Sequence, residues 1–226
     1  MLLYLLRDKM IMEIGSPEWK GIIIDGAKTL DIRIDDKASD LFALHGIELM
    51  RWAKKTNLTA ITDPLEVAIK HFIDSIAAAP FISPGNALLD IGSGGGFPGL
   101  PLKVVVPALR ATLIDGSRKK VSFLNHVIRT LGIHQTEAIQ IRAEDLAKQQ
   151  KFSGAFDIVI CRAFSSLTLF IKRALPLLVT GGKLIALRGK ITDGDIQSLR
   201  AFSLPYTIQR YRLPYLNAER SLVILG

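Results

Sequence analysis

The sequence predicts an α/β fold in which a mostly parallel sheet is flanked by helices and preceded by an N-terminal helical extension. Three observations lead to this prediction. Residues 86–99 join a short apolar strand to a cluster of glycines. Strand and helix patterns then alternate to the end of the chain, which is typical of a parallel sheet covered on both faces. Two amphipathic helices come before the sheet, so we expect an extension of residues 1–84 and a sheet domain of residues 85–226.

Composition narrows the possible functions. The 226 residues include 29 Lys and Arg against 21 Asp and Glu, a net charge of +8 that favours a polyanionic partner such as nucleic acid. The single Cys161 cannot form an intrachain disulfide, which fits a cytoplasmic protein, and the His and Cys residues lack the spacing of metal ligands. No run approaches the ~20 apolar residues of a membrane helix. Residues 1–6 are apolar but lack the other features of a signal peptide.

The N-terminal extension is predicted to be mainly helical. Residues 1–37 show no clear period, although two stretches resemble short strands, at residues 21–24 and 30–34. Two helices follow, over residues 38–55 and 63–80. The second has a clear start, because Asp63 can cap it and Pro64 suits its first position.

The glycine cluster fits two patterns. Gly94, Gly96 and Gly99 fit G-x-G-x-x-G, the fingerprint of dinucleotide-binding folds. With Asp90 and Gly92 the same stretch fits D-x-G-x-G-x-G, which resembles the first motif of methyltransferases that use S-adenosyl-L-methionine (AdoMet). In both cases the backbone turns at the carboxyl end of a strand and leaves room for a ligand against bare main chain. The glycines alone leave both interpretations open.

The rest of the chain is predicted to complete a seven-stranded sheet. Six strands follow the first, at residues 111–115, 139–142, 156–162, 183–188, 206–213 and 221–225. The main helices between them are expected at residues 117–132, 167–179 and 193–201, with a short one from Ala143. Gly181 and Gly182 are predicted to turn the chain into the fifth strand. Seven strands with a possible hairpin at the end match a methyltransferase sheet better than that of a dinucleotide dehydrogenase.

Residues that follow the strands are the candidates for binding, because ligands of such sheets lie at the carboxyl ends of the strands. Asp115 can accept hydrogen bonds from both hydroxyls of a ribose, or cap the next helix. Glu144, beside the Ala143 amide, can hold an adenine, or interact with the dipole of its helix. Arg162 faces the expected cleft, or pairs with a structural carboxylate. Arg118 opens a basic cluster that is either solvated or binds substrate phosphate.

Five separated motifs together resemble the RsmG (GidB) family of bacterial 16S rRNA guanine-N7 methyltransferases. They are Asn57-Leu58-Thr59, residues 70–75 (KHFIDS), 90–101 (DIGSGGGFPGLP), 162–167 (RAFSSL) and 187–189 (LRG). The resemblance runs from about Leu41 to the C-terminus. It implies a class I AdoMet-dependent methyltransferase fold, AdoMet as methyl donor, and as acceptor a guanine of the decoding region, position 527 of 16S rRNA.

The resemblance, together with the positions after the strands, implies roles for individual residues. Cofactor contacts are expected at Asp90, Gly92, Gly94, Gly96, Phe97, Asp115, Ala143, Glu144 and Arg162. Arg162 is also the candidate catalytic residue, at the methyl-transfer site. RNA contacts are expected at Asn57, His71, Arg118, Arg188 and Lys190. Many family members have lysine at position 188, so Arg188 and Lys190 are alternatives for the same contact, and no metal is expected.

The expected partner is 16S rRNA or the small ribosomal subunit, bound by a monomer. A small-molecule methyltransferase is the main alternative, since it shares the glycine loop, and an NAD-dependent oxidoreductase fits only G-x-G-x-x-G. Guanine N7 carries a lone pair and no proton, so we expect no general base. Alignment then provides most of the catalysis, with effective molarities of about 10⁵–10⁸ M for well-oriented reactants. The major-groove edge that carries N7 is inaccessible in A-form RNA, so the target is expected to be unpaired.

Overall fold

A computed structural model describes residues 12–164 and 166–226, and residues 1–6, considered above as a signal peptide, lie outside this part. Three helices precede the sheet. Helix α1 is Pro17–Lys28 and α2 is Asp36–Ala53. Helix α3 combines an α-helical turn, Pro64–Val67, a π-helical segment, Ala68–Ile73, and a last α-helical turn, Asp74–Ile76, before the 3₁₀ turn Ala79–Phe81.

Seven strands form one sheet in the order β3-β2-β1-β4-β5-β7-β6. The strands are β1 Ala87–Ile91, β2 Arg110–Asp115, β3 Thr136–Gln140, β4 Phe156–Arg162, β5 Leu178–Arg188, β6 Tyr206–Leu213 and β7 Ala218–Leu225. Strands β1 to β5 are parallel, and β7 runs antiparallel to both β5 and β6. The helices between them are α4 Gly99–Val105, α5 Arg118–Leu131, α6 Ala143–Leu146, α7 Leu167–Ala174 and α8 Asp193–Arg200. The predicted fold class is confirmed.

The N-terminal region differs from the sequence-based prediction. Residues 21–24, expected as a strand, lie inside α1. Pro17 occupies the start of this helix, and the Ser16 side chain caps it by accepting a hydrogen bond from the Trp19 amide. Residues 30–34 form a turn and an irregular segment after α1 instead of a strand. Burial of Ile22 and Ile23 in the core outweighs the preference of β-branched residues for strands.

Several bounds predicted for the sheet are also wrong. The fifth strand begins at Leu178, inside the stretch predicted as a helix to residue 179, and the seventh begins at Ala218 and not at residue 221. The third strand pairs with β2 from residue 136 to residue 140, so it begins and ends earlier than residues 139–142. Gly181 and Gly182 lie within β5 and do not precede it. The register of β5 against β4 shifts here, and a Cβ on Gly182 would lie 2.8 Å from the Asp157 carbonyl oxygen. The glycine pair therefore forms an irregularity in a strand that continues on both sides.

The helical extension and the sheet share one hydrophobic core. Trp19, Phe42 and Phe72 from the three N-terminal helices pack with Phe97, which follows β1, and with Phe123 of α5. Because Phe97 at the end of the glycine loop is part of this core, the extension holds the loop in place. The boundary near residue 84 stays a prediction. Within residues 12–164 and 166–226, no helix combines the length and apolar character needed to cross a membrane.

Candidate active site

The glycines after β1 divide into two kinds. Gly92 is exposed and has φ +74°, and a Cβ there would meet no atom within 4 Å. Gly94 has φ +54°, and a Cβ would meet nothing closer than the Gly92 carbonyl oxygen at 3.8 Å. Both therefore combine a backbone conformation that favours glycine with open space above the main chain. This open face is where a ligand can approach the loop.

Gly96 and Gly99 are needed for packing. A Cβ on Gly96 would lie 2.5 Å from a methyl carbon of Leu100, and one on Gly99 would lie 2.8 Å from Asp90 Oδ2. Both glycines are buried. Gly96, predicted as a cofactor contact, thus faces the protein interior, and the D-x-G-x-G-x-G pattern combines two positions with open space above the main chain and one packed position.

A cleft opens beside the loop at the carboxyl ends of β1, β2 and β3. This first cleft has a volume of about 270 Å³ and is lined by Gly92, Ile114, Asp115, Ala143, Glu144 and Phe164, among others. Four of the nine residues predicted to contact the cofactor meet here. The other five, Asp90, Gly94, Gly96, Phe97 and Arg162, do not line it.

Asp115 has the hydrogen-bonding capacity to hold a ribose. Its Oδ1 accepts a bond from the Ser117 amide at 2.8 Å, and its Oδ2 accepts one from the Gly94 amide at 3.2 Å. Each carboxylate oxygen has a second lone pair, so the two oxygens can still accept bonds from vicinal hydroxyls. The bond to Gly94 also connects this carboxylate to the open glycine loop.

Ala143 and Glu144 form the far wall of the first cleft, where α6 begins. The first amides of a helix have no intrahelical partner and can donate to a ligand. Glu144 Oε1 lies 3.1 Å from Arg173 Nη2, which fixes the carboxylate and leaves Oε2 available. An amide donor beside a carboxylate acceptor matches a ring nitrogen and the amino group of adenine.

Asp90 lies beneath the loop. Its side chain is fully buried, and Oδ2 accepts a hydrogen bond from the Gly99 amide at 2.9 Å. Within the described residues Oδ1 has no hydrogen-bond partner. Burial raises the pKa of this carboxyl group to about 7. Asp90 therefore shapes the glycine loop by holding the start of α4.

A stack of three aromatic rings joins the end of the glycine loop to helices α2 and α3. Phe97 lies between His45 and His71, with ring centroids 4.8 Å and 4.6 Å apart and interplanar angles of 10° and 15°. His45 Nε2 is 2.8 Å from the Gly95 carbonyl oxygen, so this nitrogen carries the proton. Burial lowers the pKa of His45 to about 4. His45 is one buried position among many on an amphipathic helix, so no sequence pattern distinguishes it from its neighbours.

Arg162 is held by helix α3. Its Nη1 donates to the Lys70 carbonyl oxygen at 2.6 Å, and its Nη2 lies 3.1 Å from His71 Nδ1. The guanidinium carbon lies 5.1 Å from the centroid of the Phe97 ring. The pKa of His71 is lowered to about 3, by burial first and then by the charge of Arg162. Both groups are thus fixed in one charge state at neutral pH.

A second cleft opens on the other side of Arg162. It has a volume of about 380 Å³ and is lined by Lys70, His71, Asp74, Arg162, Arg188 and Arg220, among others. Arg162 pairs with Leu187 of β5, so this cleft stands over the carboxyl ends of β4 and β5. The chain between the two clefts is short, because Arg162 and Ala163 line the second and Phe164 lines the first.

The residues predicted to contact RNA have different environments. Asn57, Arg118 and Lys190 are exposed and line neither cleft. Arg188 is engaged inside the protein, where Nη1 donates to the Phe164 carbonyl oxygen at 2.7 Å and Nη2 to Asp195 Oδ1 at 2.9 Å. Arg188 and Lys190, predicted as alternatives for the same RNA contact, are therefore not equivalent.

Comparison with known proteins establishes the family. A model of the rRNA small subunit methyltransferase G (GidB) family matches residues 41–223. The chain belongs to this family. The ribosomal RNA small subunit methyltransferase G of Geobacter sulfurreducens is 40% identical over 210 residues, 91% of this chain and 96% of that protein. The protein of the same name from Acetivibrio thermocellus is 35% identical, over 90% of this chain and 86% of its own length.

Solved structures agree on the fold. A SAM-dependent methyltransferase from Aquifex aeolicus has a TM-score of 0.57 at 14% identity and covers 75% of this chain and 96% of its own. Fibrillarin from Aeropyrum pernix, solved with natively bound S-adenosyl-L-methionine, has a TM-score of 0.53 at 13% identity, over 68% of this chain and 73% of its own. The protein is an AdoMet-dependent rRNA methyltransferase of class I fold. The first cleft, with acceptors for a ribose and paired groups for an adenine, fits AdoMet.

Proposed function

We propose that this protein transfers the methyl group of AdoMet to N7 of a guanine in 16S rRNA, at position 527 of the small-subunit decoding region. The observation that carries this proposal is a pair of clefts at the same edge of the sheet, separated by residues 162–164. The first fits a nucleoside cofactor. The second is rich in arginine and fits an RNA nucleotide with its phosphates.

The second cleft contains a histidine that is unsuited to act as a base, which supports an acceptor without a proton. Arginine has only donors, so Nδ1 of His71 must accept the bond from Arg162. The His71 proton is therefore on Nε2, which lies 2.8 Å from Thr59 Oγ1. Both ring nitrogens are engaged within the protein. Guanine N7 needs no proton removed, since its lone pair attacks directly.

The residues of the chain contribute alignment and charge. Asp115 and Glu144 hold the nucleoside part of the cofactor, and Phe164 forms a wall of its cleft. When bound, AdoMet supplies an electrophilic methyl group. Arg162, fixed by Lys70 and His71, orients the acceptor nucleotide without swinging away from it. Well-oriented reactants gain effective molarities of about 10⁵–10⁸ M, which is sufficient for a transfer that needs no base.

Two measurements test this function. Calorimetry should detect binding of AdoMet or its demethylated product and no binding of NAD. Mass spectrometry of 16S rRNA should show one 7-methylguanine that is missing in a strain without the protein, and that returns with the wild-type gene but not with Arg162→Ala. An unchanged 7-methylguanine content, or a methyl group on another atom, would contradict the proposal.

The oligomeric state and location of the protein stay predictions. The expected monomer acting on the small subunit in the cytoplasm can be checked by light scattering of the purified protein and by fractionation of ribosomal subunits. A stable dimer in solution would contradict the predicted monomer.

A further inference from the structure

Asp74 is a buried carboxylate in the wall of the second cleft. The residue is only 6% exposed, and it lies in the last α-helical turn of α3. Tyr211 donates a hydrogen bond to Oδ1 at 2.8 Å, and Arg220 Nε is 3.4 Å from the same oxygen. The closest cation to Oδ2 is Arg162 Nη1 at 4.0 Å, which is beyond hydrogen-bond distance. Oδ1 is therefore bonded within the protein, whereas Oδ2 can still accept a hydrogen bond.

The charges around Asp74 make Oδ2 the acceptor of this cleft. Among the described residues that line the cleft, Asp74 alone carries a carboxylate. Lys70 is paired with Glu66 at 2.8 Å and Arg188 with Asp195 at 2.9 Å, so part of the positive charge is already compensated from outside the cleft. In the described part of the chain the buried side-chain atoms without a hydrogen bond are Asp90 Oδ1 and Ser221 Oγ, so Oδ2 of Asp74, which is not one of them, is open to the cleft. An acceptor with spare capacity in a cleft indicates a ligand that donates.

The bases differ in what they present to such an acceptor. On its Watson–Crick edge guanine presents two neighbouring donors, the N1–H and the exocyclic amino group, whereas adenine presents an acceptor at N1. Enzymes that modify a base read it on this edge after taking it out of the helix. A carboxylate oxygen with two lone pairs accepts the guanine donors and rejects the adenine N1.

We propose that Asp74 Oδ2 binds the Watson–Crick edge of the acceptor guanine, which makes the second cleft the guanine-selecting pocket of the enzyme. This inference rests on the proposed function. Methylation at N7 leaves a positive charge on the base, and a carboxylate bonded to the opposite edge stabilises that charge as it develops. Arg162 and Arg220 then serve the phosphates, because a cation against the ring would oppose the reaction.

A purely structural role for Asp74 makes different predictions. The carboxylate joins α3 to Tyr211 of β6 and Arg220 of β7, so its loss also weakens packing between these elements. A structural role changes stability and lowers the rate on every substrate alike. Base selection changes only if Asp74 contacts the base.

The test uses small subunits reconstituted with 16S rRNA that carries guanine, inosine or 2-aminopurine at the target. All three bases keep N7. Inosine keeps the N1–H and lacks the amino group, whereas 2-aminopurine has the amino group and an acceptor at N1. The wild-type enzyme should methylate guanine at least tenfold faster than 2-aminopurine, with inosine between them. Asp74→Asn should slow guanine methylation and reduce this preference at least tenfold, because the amide can donate to the N1 of 2-aminopurine.

Tyr211→Phe is the matched control, because it removes a bond to Oδ1 and leaves Oδ2 unchanged. It should keep the wild-type preference, and all variants should bind AdoMet with wild-type affinity by calorimetry. Equal wild-type rates on guanine and 2-aminopurine would overturn the inference without any variant, and so would an Asp74→Asn enzyme with unchanged preference. Absence of guanine N7 methylation by the wild type would instead refute the proposed function.

Discussion

Arg162 and His71 form a hydrogen bond in which the histidine is the acceptor, with Nη2 and Nδ1 3.1 Å apart. The bond fixes the neutral tautomer of His71 and directs the Nε2 proton to Thr59. His71 was predicted to contact RNA. In the structure its ring is buried and stacked on Phe97, so we expect it to position Arg162.

Two substitutions of His71 separate its two hydrogen bonds. Asn places an oxygen near the position of Nδ1 and keeps an acceptor for Arg162, whereas Gln places its amide near Nε2 and keeps a donor for Thr59. We expect His71→Gln to reduce single-turnover methylation about tenfold or more, since a bond to a charged group contributes about 1.5–3 kcal/mol. His71→Asn should retain more activity. Neither variant should change the shape of the pH–rate profile between about pH 6 and 8.5, where an unperturbed histidine would titrate.

The open face of the glycine loop is tested at Gly94. Asn tolerates a positive φ better than other side chains, so Gly94→Asn adds a side chain with little backbone strain. Gly132→Asn is the matched control, because Gly132 has φ +61° and open space around it at the end of α5. Both variants should show similar thermal stability, and only Gly94→Asn should lose affinity for AdoMet in calorimetry, at least tenfold. Equal affinities would show that no ligand approaches this residue.

The raised pKa of Asp90 predicts that the stability of the protein depends on pH. The unfolded carboxyl group loses its proton near pH 3.8, whereas the folded one keeps it to about pH 7. Between these values the unfolded state binds fewer protons, so the contribution of Asp90 to the free energy of unfolding falls as pH rises, by at most about 1.4 kcal/mol per pH unit. Asp90→Asn should remove this fall. Denaturant titrations of both proteins from about pH 4.5 to 8 should show the variant gaining relative to wild type, and parallel curves would contradict the raised pKa.

We expect Arg188 to contribute to the stability of the protein and Lys190 to its affinity for rRNA. Loss of Arg188 leaves the buried Asp195 without its cation, and we expect Arg188→Ala to lower the free energy of unfolding by about 1.5–3 kcal/mol. Lys190→Ala should leave stability unchanged and reduce the slope of log affinity for rRNA against log salt by about one, as loss of one phosphate contact does. A stable Arg188→Ala protein with a reduced salt slope would identify Arg188 as the RNA contact instead.

Much of the fold could be predicted because local chemistry and tertiary structure agree. Asp63 caps α3 and the fourth strand has its predicted bounds, since turn residues and apolar runs mark both. Residues 21–24 could not be assigned correctly from β-branched residues alone, because packing against Phe72 and its neighbours decides their structure. The irregularity at Gly182 depends on the partner strand β4, which sequence spacing does not reveal.

The candidate site was predictable only where it follows the strands in order. Asp115, Ala143 and Glu144 meet in the first cleft because Asp115 ends one parallel strand and the other two come shortly after the next. Asp74 and His45 come from helices far away in the sequence, and their contacts with Tyr211 and Gly95 depend on packing of the extension against the sheet. Asp74 belongs to the motif at residues 70–75, which gave a signal for the segment without indicating which side chain matters.

The π-helical segment of α3 has a consequence for which sequence changes this site can accept. Asp74 donates its amide to the Ile69 carbonyl, five residues back, so the turn contains one residue more than an α-helical turn. Removal of one residue between Ile69 and Asp74 would turn this same bond into the i→i−4 bond of an α-helix, so Asp74 would stay next to Ile69. The residues of the wide turn itself, which include Lys70 and His71, would lose their present positions against Arg162. In this family member a deletion of one residue here therefore spares Asp74 and releases Arg162, two effects that no single substitution of the turn combines.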